Sequence, residues 1–203
     1  MIRKGKVAIV SHDAGGAEIL SSFVKRYQVP YEASLKGPAN EIFQRKIGPL
    51  KEISEYQAIN NCDWVLTGTG WSTSFEYDAI KIAKEKDKYV VSFIDHWVNF
   101  RERFNWHGPE ILPNEIWVGD EDALEIASDV LPEAIVKLFP NPFRQDCIEL
   151  RDESSNFSQP EKKKVLFVSS NIDGIRQNQN DIKFSDREIL NKFLSQLEKL
   201  NFL

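Results

Sequence analysis

The sequence predicts an α/β fold built on a parallel sheet with helices on both faces, and three observations carry that prediction. Short runs rich in β-branched and aromatic residues recur along the chain, and most are almost continuously apolar. That is the pattern of strands covered on both faces. Stretches with helical periodicity separate them, giving the strand, helix, strand, helix rhythm of a Rossmann-like, doubly wound sheet. Beyond about residue 164 the rhythm starts again and is not completed.

Taken in order, Val7 to Ser11 is the first strand. Ala17 to Tyr27 follows as a helix, because Leu20, Phe23, Val24 and Tyr27 share one face. Pro30 to Leu35 alternates Tyr31, Ala33 and Leu35 and predicts an edge strand, with a helix over Ala39 to Ile47. The stretch onward to Asn61 is assigned no element from sequence. Asp63 to Thr67 is a strand, and Thr73-Ser-Phe-Glu76 has the spacing of a capping box opening a helix over Ser74 to Lys86. Strands follow at Tyr89 to Ile94, Glu115 to Val118 and Ala134 to Phe139. Asp120 is placed to cap the helix carrying Ala123, Leu124 and Ala127.

Domain limits follow from a change in composition. Residues 1–140 form the first domain, and 141–163, with Asn141-Pro142 and a polar Ser/Asn/Pro run, are expected to be an interdomain linker. Residues 164–203 hold a strand at Val165 to Ser169 and a helix opened by the capping box Ser185-Asp-Arg-Glu188. One strand and one helix cannot enclose a core, so this piece is expected to be the start of a second domain in a truncated product.

Composition narrows the function. Net charge is −5 with Lys and Arg scattered, which argues against a nucleic-acid surface, because phosphate binding draws on clustered positive charge. Cys62 and Cys147 have no CxxC spacing and no histidine at ligand distance, so neither a disulfide framework nor a metal site is expected. No apolar run approaches the roughly 20 residues of a membrane span. Met1 to Lys6 leads into a strand without the apolar middle of a signal peptide, so a cytoplasmic location is expected.

In doubly wound sheets ligands bind beyond the C-terminal ends of the strands. The first loop there is Ser11-His-Asp-Ala-Gly-Gly-Ala17. Gly15 and Gly16 let backbone approach a ligand at a helix N-terminus, while His12 and Asp13 supply a base and an orienting carboxylate. The plainer account is a tight turn with Asp13 as helix cap. The loop lacks the GxGxxG spacing of a dinucleotide site, and no cofactor is expected. The second loop, Thr67-Gly-Thr-Gly-Trp-Ser-Thr-Ser74, offers Gly68, Thr69, Gly70 and Ser72 to a phosphate or to sugar hydroxyls, with Trp71 as a stacking surface. It is not a Walker A loop.

The densest cluster is Asp95-His-Trp-Val-Asn-Phe-Arg-Glu-Arg-Phe104. Asp95 and His96 are candidates for a general base and its partner, Asn99 for substrate contact, and Arg101 and Arg103 for holding an anionic group. Trp97, Phe100, Phe104 and Trp106 fit loop packing, and neighbouring Arg and Glu residues can simply pair. In the fourth loop, Trp117 to Glu121, helix capping by Asp120 is the simpler role.

Together SHDAGGAEIL, VLTGTGW, SFIDHWVNFRERF, EIWVGD and the NPF turn resemble the N-terminal domain of bacterial glycosyltransferase-like proteins of capsular and other surface polysaccharide biosynthesis, over roughly residues 6 to 170. The resemblance implies a GT-B architecture of two Rossmann-like domains and sugar transfer from a nucleotide sugar to a glycan acceptor, without an obligatory metal. It implies an acceptor-side half, inactive alone, whose base comes from Asp13, His12, Asp95 or His96. It also implies peripheral contact with membrane-bound biosynthetic machinery, and homodimer formation is a further expectation. A non-catalytic binding module for a nucleotide or sugar phosphate, or a nucleotide-sugar epimerase or hydrolase, are the alternatives.

Overall fold

A computed structural model of the chain describes residues 2–70, 72–154, 166–168 and 184–199. It separates into two units, Met1–Ser154 and Ser155–Leu203. The first holds six strands: β1 (Val7–Ser11), β2 (Tyr31–Leu35), β3 (Trp64–Thr67), β4 (Tyr89–Ile94), β5 (Glu115–Val118) and β6 (Val136–Leu138). All pair in parallel, in the order β2-β1-β3-β4-β5-β6. Its helices are α1 (Ala14–Tyr27), α2 (Pro38–Lys46), α3 (Glu55–Asn61), α4 (Phe75–Glu85), α5 (Glu121–Val130) and α6 (Pro142–Ser154), with a 3₁₀ turn at Glu102–Phe104.

Strand side chains alternate between two cores, as a pleated strand requires. Val7 and Ile9 join Trp64, Leu66, Phe93 and Trp117 on one face, beneath Phe23 of α1 and Phe43 of α2. Ala8 and Val10 join Val65, Val90, Ile116 and Val118 on the other, beneath Ala58 of α3, Ile80 of α4 and Ala127 of α5. The central strands are buried along their whole length, which is why they read as unbroken apolar runs. This is the doubly wound α/β fold that the sequence predicts.

Two local expectations are corrected, and one stretch left without an element is filled. The segment read as a linker from residue 141 is helical from Pro142 to Ser154. Asn141 Oδ1 caps that helix from 3.0 Å of the Phe143 N–H and 3.1 Å of the Arg144 N–H. Arg26 of α1 then bonds Asp146 at 2.6 Å and Glu149 at 2.9 Å, fastening α6 to α1. The stretch before Asn61 contains α3, opened by a capping box between Ser54 and Gln57. Glu76, lastly, does not complete a capping box with Thr73: α4 starts after Ser74 with no side-chain cap, and the Glu76 carboxylate reaches elsewhere.

In the second unit, α7 (Asp186–Lys199) opens with the expected capping box, Glu188 Oε2 lying 2.7 Å from the Ser185 N–H and Ser185 Oγ 3.1 Å from the Glu188 N–H. Leu166, Phe167 and Val168 carry no strand, contrary to expectation; the ends of that run, Val165 and Ser169, lie outside the described residues. Among the described residues no helix is long and apolar enough to cross a membrane.

Candidate functional site

The strand order reverses between β1 and β3, because the crossover through α1 runs outward to β2 whereas the next returns to the other side of β1. Such a reversal parts the loops at the C-terminal ends and opens a crevice. Here it brings the two glycine-rich loops into backbone contact: a Cβ on Gly16 would lie 3.2 Å from the Gly68 Cα. A side chain at Gly16 would press on that backbone, whereas one at Gly68 would crowd Ser11 Oγ at 3.3 Å.

Around this contact the structure gathers residues from three loops. His12 Nδ1 lies 2.9 Å from Asp13 Oδ1, and Ser72 Oγ donates to that same oxygen at 3.0 Å. Asp13 occupies the N-cap position of α1 but makes no side-chain cap, so the plainer account of it does not hold. With Asp13 accepting from Nδ1, the imidazole presents Nε2 as its basic nitrogen. A Cβ on Gly37 would meet that nitrogen at 2.6 Å, and Gly37 stands at φ +52°, so the turn after β2 needs glycine for both reasons.

Glu76 is the residue that sequence reasoning missed. Its Oε1 accepts the His12 N–H at 2.6 Å. Its Oε2 is buried without a hydrogen-bond partner, as is Ser11 Oγ close by. Asp13 Oδ2 and Glu76 Oε2 lie 2.9 and 3.1 Å from the point a Gly70 Cβ would occupy, so two carboxylates face each other over a bare glycine. Burial, reinforced by the Asp13 charge and opposed by the His12 N–H, pushes the Glu76 carboxyl above the usual range. Nothing local distinguishes this residue from a helix cap, since its partner is 64 positions away in sequence.

The third contributor is the end of β4. Asp95 Oδ1 pairs with Arg103 Nη1 at 3.0 Å, and the arginine side chain is 4% exposed. Arg103 also donates to Thr69 Oγ1 at 3.1 Å, to the Thr69 carbonyl and to the Val98 carbonyl at 3.3 Å. Thr69 Oγ1 in turn donates to the Phe93 carbonyl at 3.1 Å. The other Asp95 oxygen abuts Gly15, where an added Cβ would come within 2.0 Å. Replacing Gly15 with alanine is therefore expected to destabilise the unit by about 1–3 kcal/mol, because the collision pushes Asp95 off the buried Arg103 and outweighs the roughly 1 kcal/mol of gained helix propensity. Urea unfolding checks this, and a variant as stable as the wild type would show that Asp95 yields without leaving Arg103.

Not every predicted residue joins the group. Arg101 turns away to Glu110 at 2.6 Å and Glu133 at 2.8 Å, and Arg103 is spent on internal partners, so neither is positioned to hold an anionic ligand. Asn99 is exposed at φ 57°, a left-handed turn position that asparagine tolerates. Trp71 lies outside the described residues. His96 is exposed and lines, with Asp95, a neighbouring cleft of about 400 Å³ between the ends of β4 and β5. Phe100 and Phe104 are core residues, as expected of loop packing. Trp97 is not: it stands 53% exposed at the edge of that cleft, its Nε1 donating to Asp120 Oδ1 at 3.1 Å. Asp120 itself caps α5 through the Ala123 N–H at 2.8 Å, as predicted.

The rim thus combines an oriented imidazole, an anchored carboxylate and glycine-bare backbone at one crevice. It offers hydrogen-bond acceptors and a base, with its central arginine already neutralised. Such a surface suits a hydroxyl-rich neutral ligand better than a phosphate. The chain matches no protein-family model, no curated protein and no solved structure.

Proposed function

We propose that the first unit is the acceptor-side half of a nucleotide-sugar-dependent sugar transferase of surface polysaccharide synthesis. The observation that carries the proposal is the His12–Asp13 pair, 2.9 Å apart, set at the crevice where the strand order reverses. His12 Nε2 takes the proton from the attacking acceptor hydroxyl while that oxygen bonds to the donor's anomeric carbon, and the nucleoside diphosphate departs with the bonding electrons. Asp13 holds the imidazole in the required tautomer and stabilises the imidazolium that forms. Asp95, fixed by Arg103, accepts hydrogen bonds from other hydroxyls of the acceptor. The sequence resemblance supplies the sugar-transfer chemistry, and the acceptor-rich rim supports it.

The test is transfer from a panel of nucleotide sugars to glycan acceptors by this half joined to a donor-side domain, read by mass spectrometry. His12→Gln is expected to lower kcat about 100-fold or more with KM little changed. Asp95→Asn is expected to raise KM chiefly. Transfer at the wild-type rate by the His12 variant would remove its assigned role. Saturable sugar binding without any transfer would instead favour a binding module.

A further inference from the structure

The aromatic residues of the β4–β5 connection divide by environment. Phe100 and Phe104 are 3% and 0% exposed, whereas Trp97 is 53% exposed. Leaving half an indole in water forgoes burial that this side chain ordinarily gains. Yet the ring is not loose. Its Nε1 is tied to Asp120, whose own oxygen is held by the first turn of α5, and the His96 ring stands 6.1 Å away in a T-shaped arrangement, so the indole is pinned while about half of the residue's surface stays in water.

Trp97 borders the cleft of about 400 Å³, a volume within the range of small-molecule sites. Asp95, Asp120 and Asp122 supply three carboxylates to its lining, against the Arg144 guanidinium and the Arg103 paired with Asp95, with Asn141 adding an amide. A phosphate or an intact nucleotide would meet net repulsion there. A pyranose meets none: its C–H face is apolar enough to lie on an aromatic ring, and its hydroxyls donate to carboxylate oxygens and accept from the Asn141 amide N–H₂.

From this juxtaposition we propose that Trp97 is a stacking platform for a neutral pyranose ring, with the cleft carboxylates receiving its hydroxyls. The proposal deepens the sugar-transfer reading above and rests on it for the class of ligand. It assigns the ring-binding subsite to the ends of β4 and β5, beside the base at β1, with Asp95 shared between them.

The test is a ¹⁵N spectrum of the full chain, in which the Trp97 indole N–H peak is identified by its loss in Trp97→Phe. Methyl glycosides of glucose, galactose and mannose, N-acetylglucosamine, and UMP are titrated separately. At least one pyranose is expected to move the Trp97 peak saturably. Trp97→Ala should weaken that binding about tenfold or more, whereas Trp97→Phe, which keeps an aromatic face, retains most of it. Both variants should unfold like the wild type, since the side chain lies outside the core. A silent Trp97 peak with every pyranose, a response to UMP alone, or undiminished binding in Trp97→Ala would each overturn the platform. Binding through Trp97 with no transfer activity would leave it standing and remove the transferase reading. Transfer with unchanged KM in Trp97→Ala would do the reverse.

Discussion

Replacing Arg103 with methionine is expected to destabilise the first unit by about 2–4 kcal/mol, the largest effect of any single substitution at the rim. The guanidinium is almost wholly buried and serves the Asp95 carboxylate, the Thr69 hydroxyl and carbonyl and the Val98 carbonyl together. Methionine fills much of the space but strands the carboxylate. Because the Asp95 side chain is 20% exposed, water relieves part of that penalty and holds it below the cost of a fully buried orphan charge. For a chain of this size the loss corresponds to a fall in Tm of roughly 5–15 °C. Arg101→Met provides the contrast, since that side chain is 42% exposed and its pairs with Glu110 and Glu133 are surface bridges. Its expected cost is about 1 kcal/mol or less. The double variant Arg103→Met with Asp95→Asn should recover part of the loss, because the stranded charge is gone. Equal melting shifts for the two arginine variants would show that burial of Arg103 does not determine the stability of this loop.

Glu76→Gln is expected to change how stability depends on pH. Burial raises the folded-state pKa of Glu76 above its unfolded value near 4.5, so the folded protein binds the proton more tightly. The stabilisation from protonation is present below the unfolded pKa and is lost as pH rises through the folded one. Once the pH exceeds the raised folded-state pKa, the wild type carries a buried carboxylate with one oxygen unpartnered, facing Asp13. Glutamine keeps an oxygen for the His12 N–H and turns donors toward Asp13, removing the charge. The variant should be more stable than the wild type at pH 8, by on the order of 1–3 kcal/mol, with the advantage shrinking toward pH 4. Urea unfolding at several pH values measures it. A constant difference across that range would mean that Glu76 has no displaced titration. If the neutral glutamine side chain stabilises the fold while acceptor turnover falls, the charge of Glu76 is retained for function, because the amide oxygen still holds the His12 N–H and only the charge is gone.

How far the site was legible in sequence depended on the range of the interactions. The strand ends were readable because continuous apolar runs stop at Ser11, Thr67, Ile94 and Val118, and the rim loops begin there. Asp120 as a cap was readable too, since a side chain and an N–H three residues on can meet only locally. Glu76 carried the same local signature and escaped, because Thr73 competes for it less well than a buried N–H from another loop. Arg101 and Arg103 looked alike at two-residue spacing. The 3₁₀ turn sends one into the protein and the other onto its surface.

By itself the sequence determined the alternation of strands and helices, their near-limits and the parallel arrangement, since these follow from hydrophobic periodicity and from backbone groups that pair with near neighbours. Only the tertiary structure decided that β3 lies beside β1, that Gly16 touches Gly68, that Asp95 belongs to Arg103, and that Trp97 faces solvent. Those outcomes depend on which buried polar group finds which partner across the sheet. That competition is settled by desolvation in the packed chain, and no local pattern encodes it.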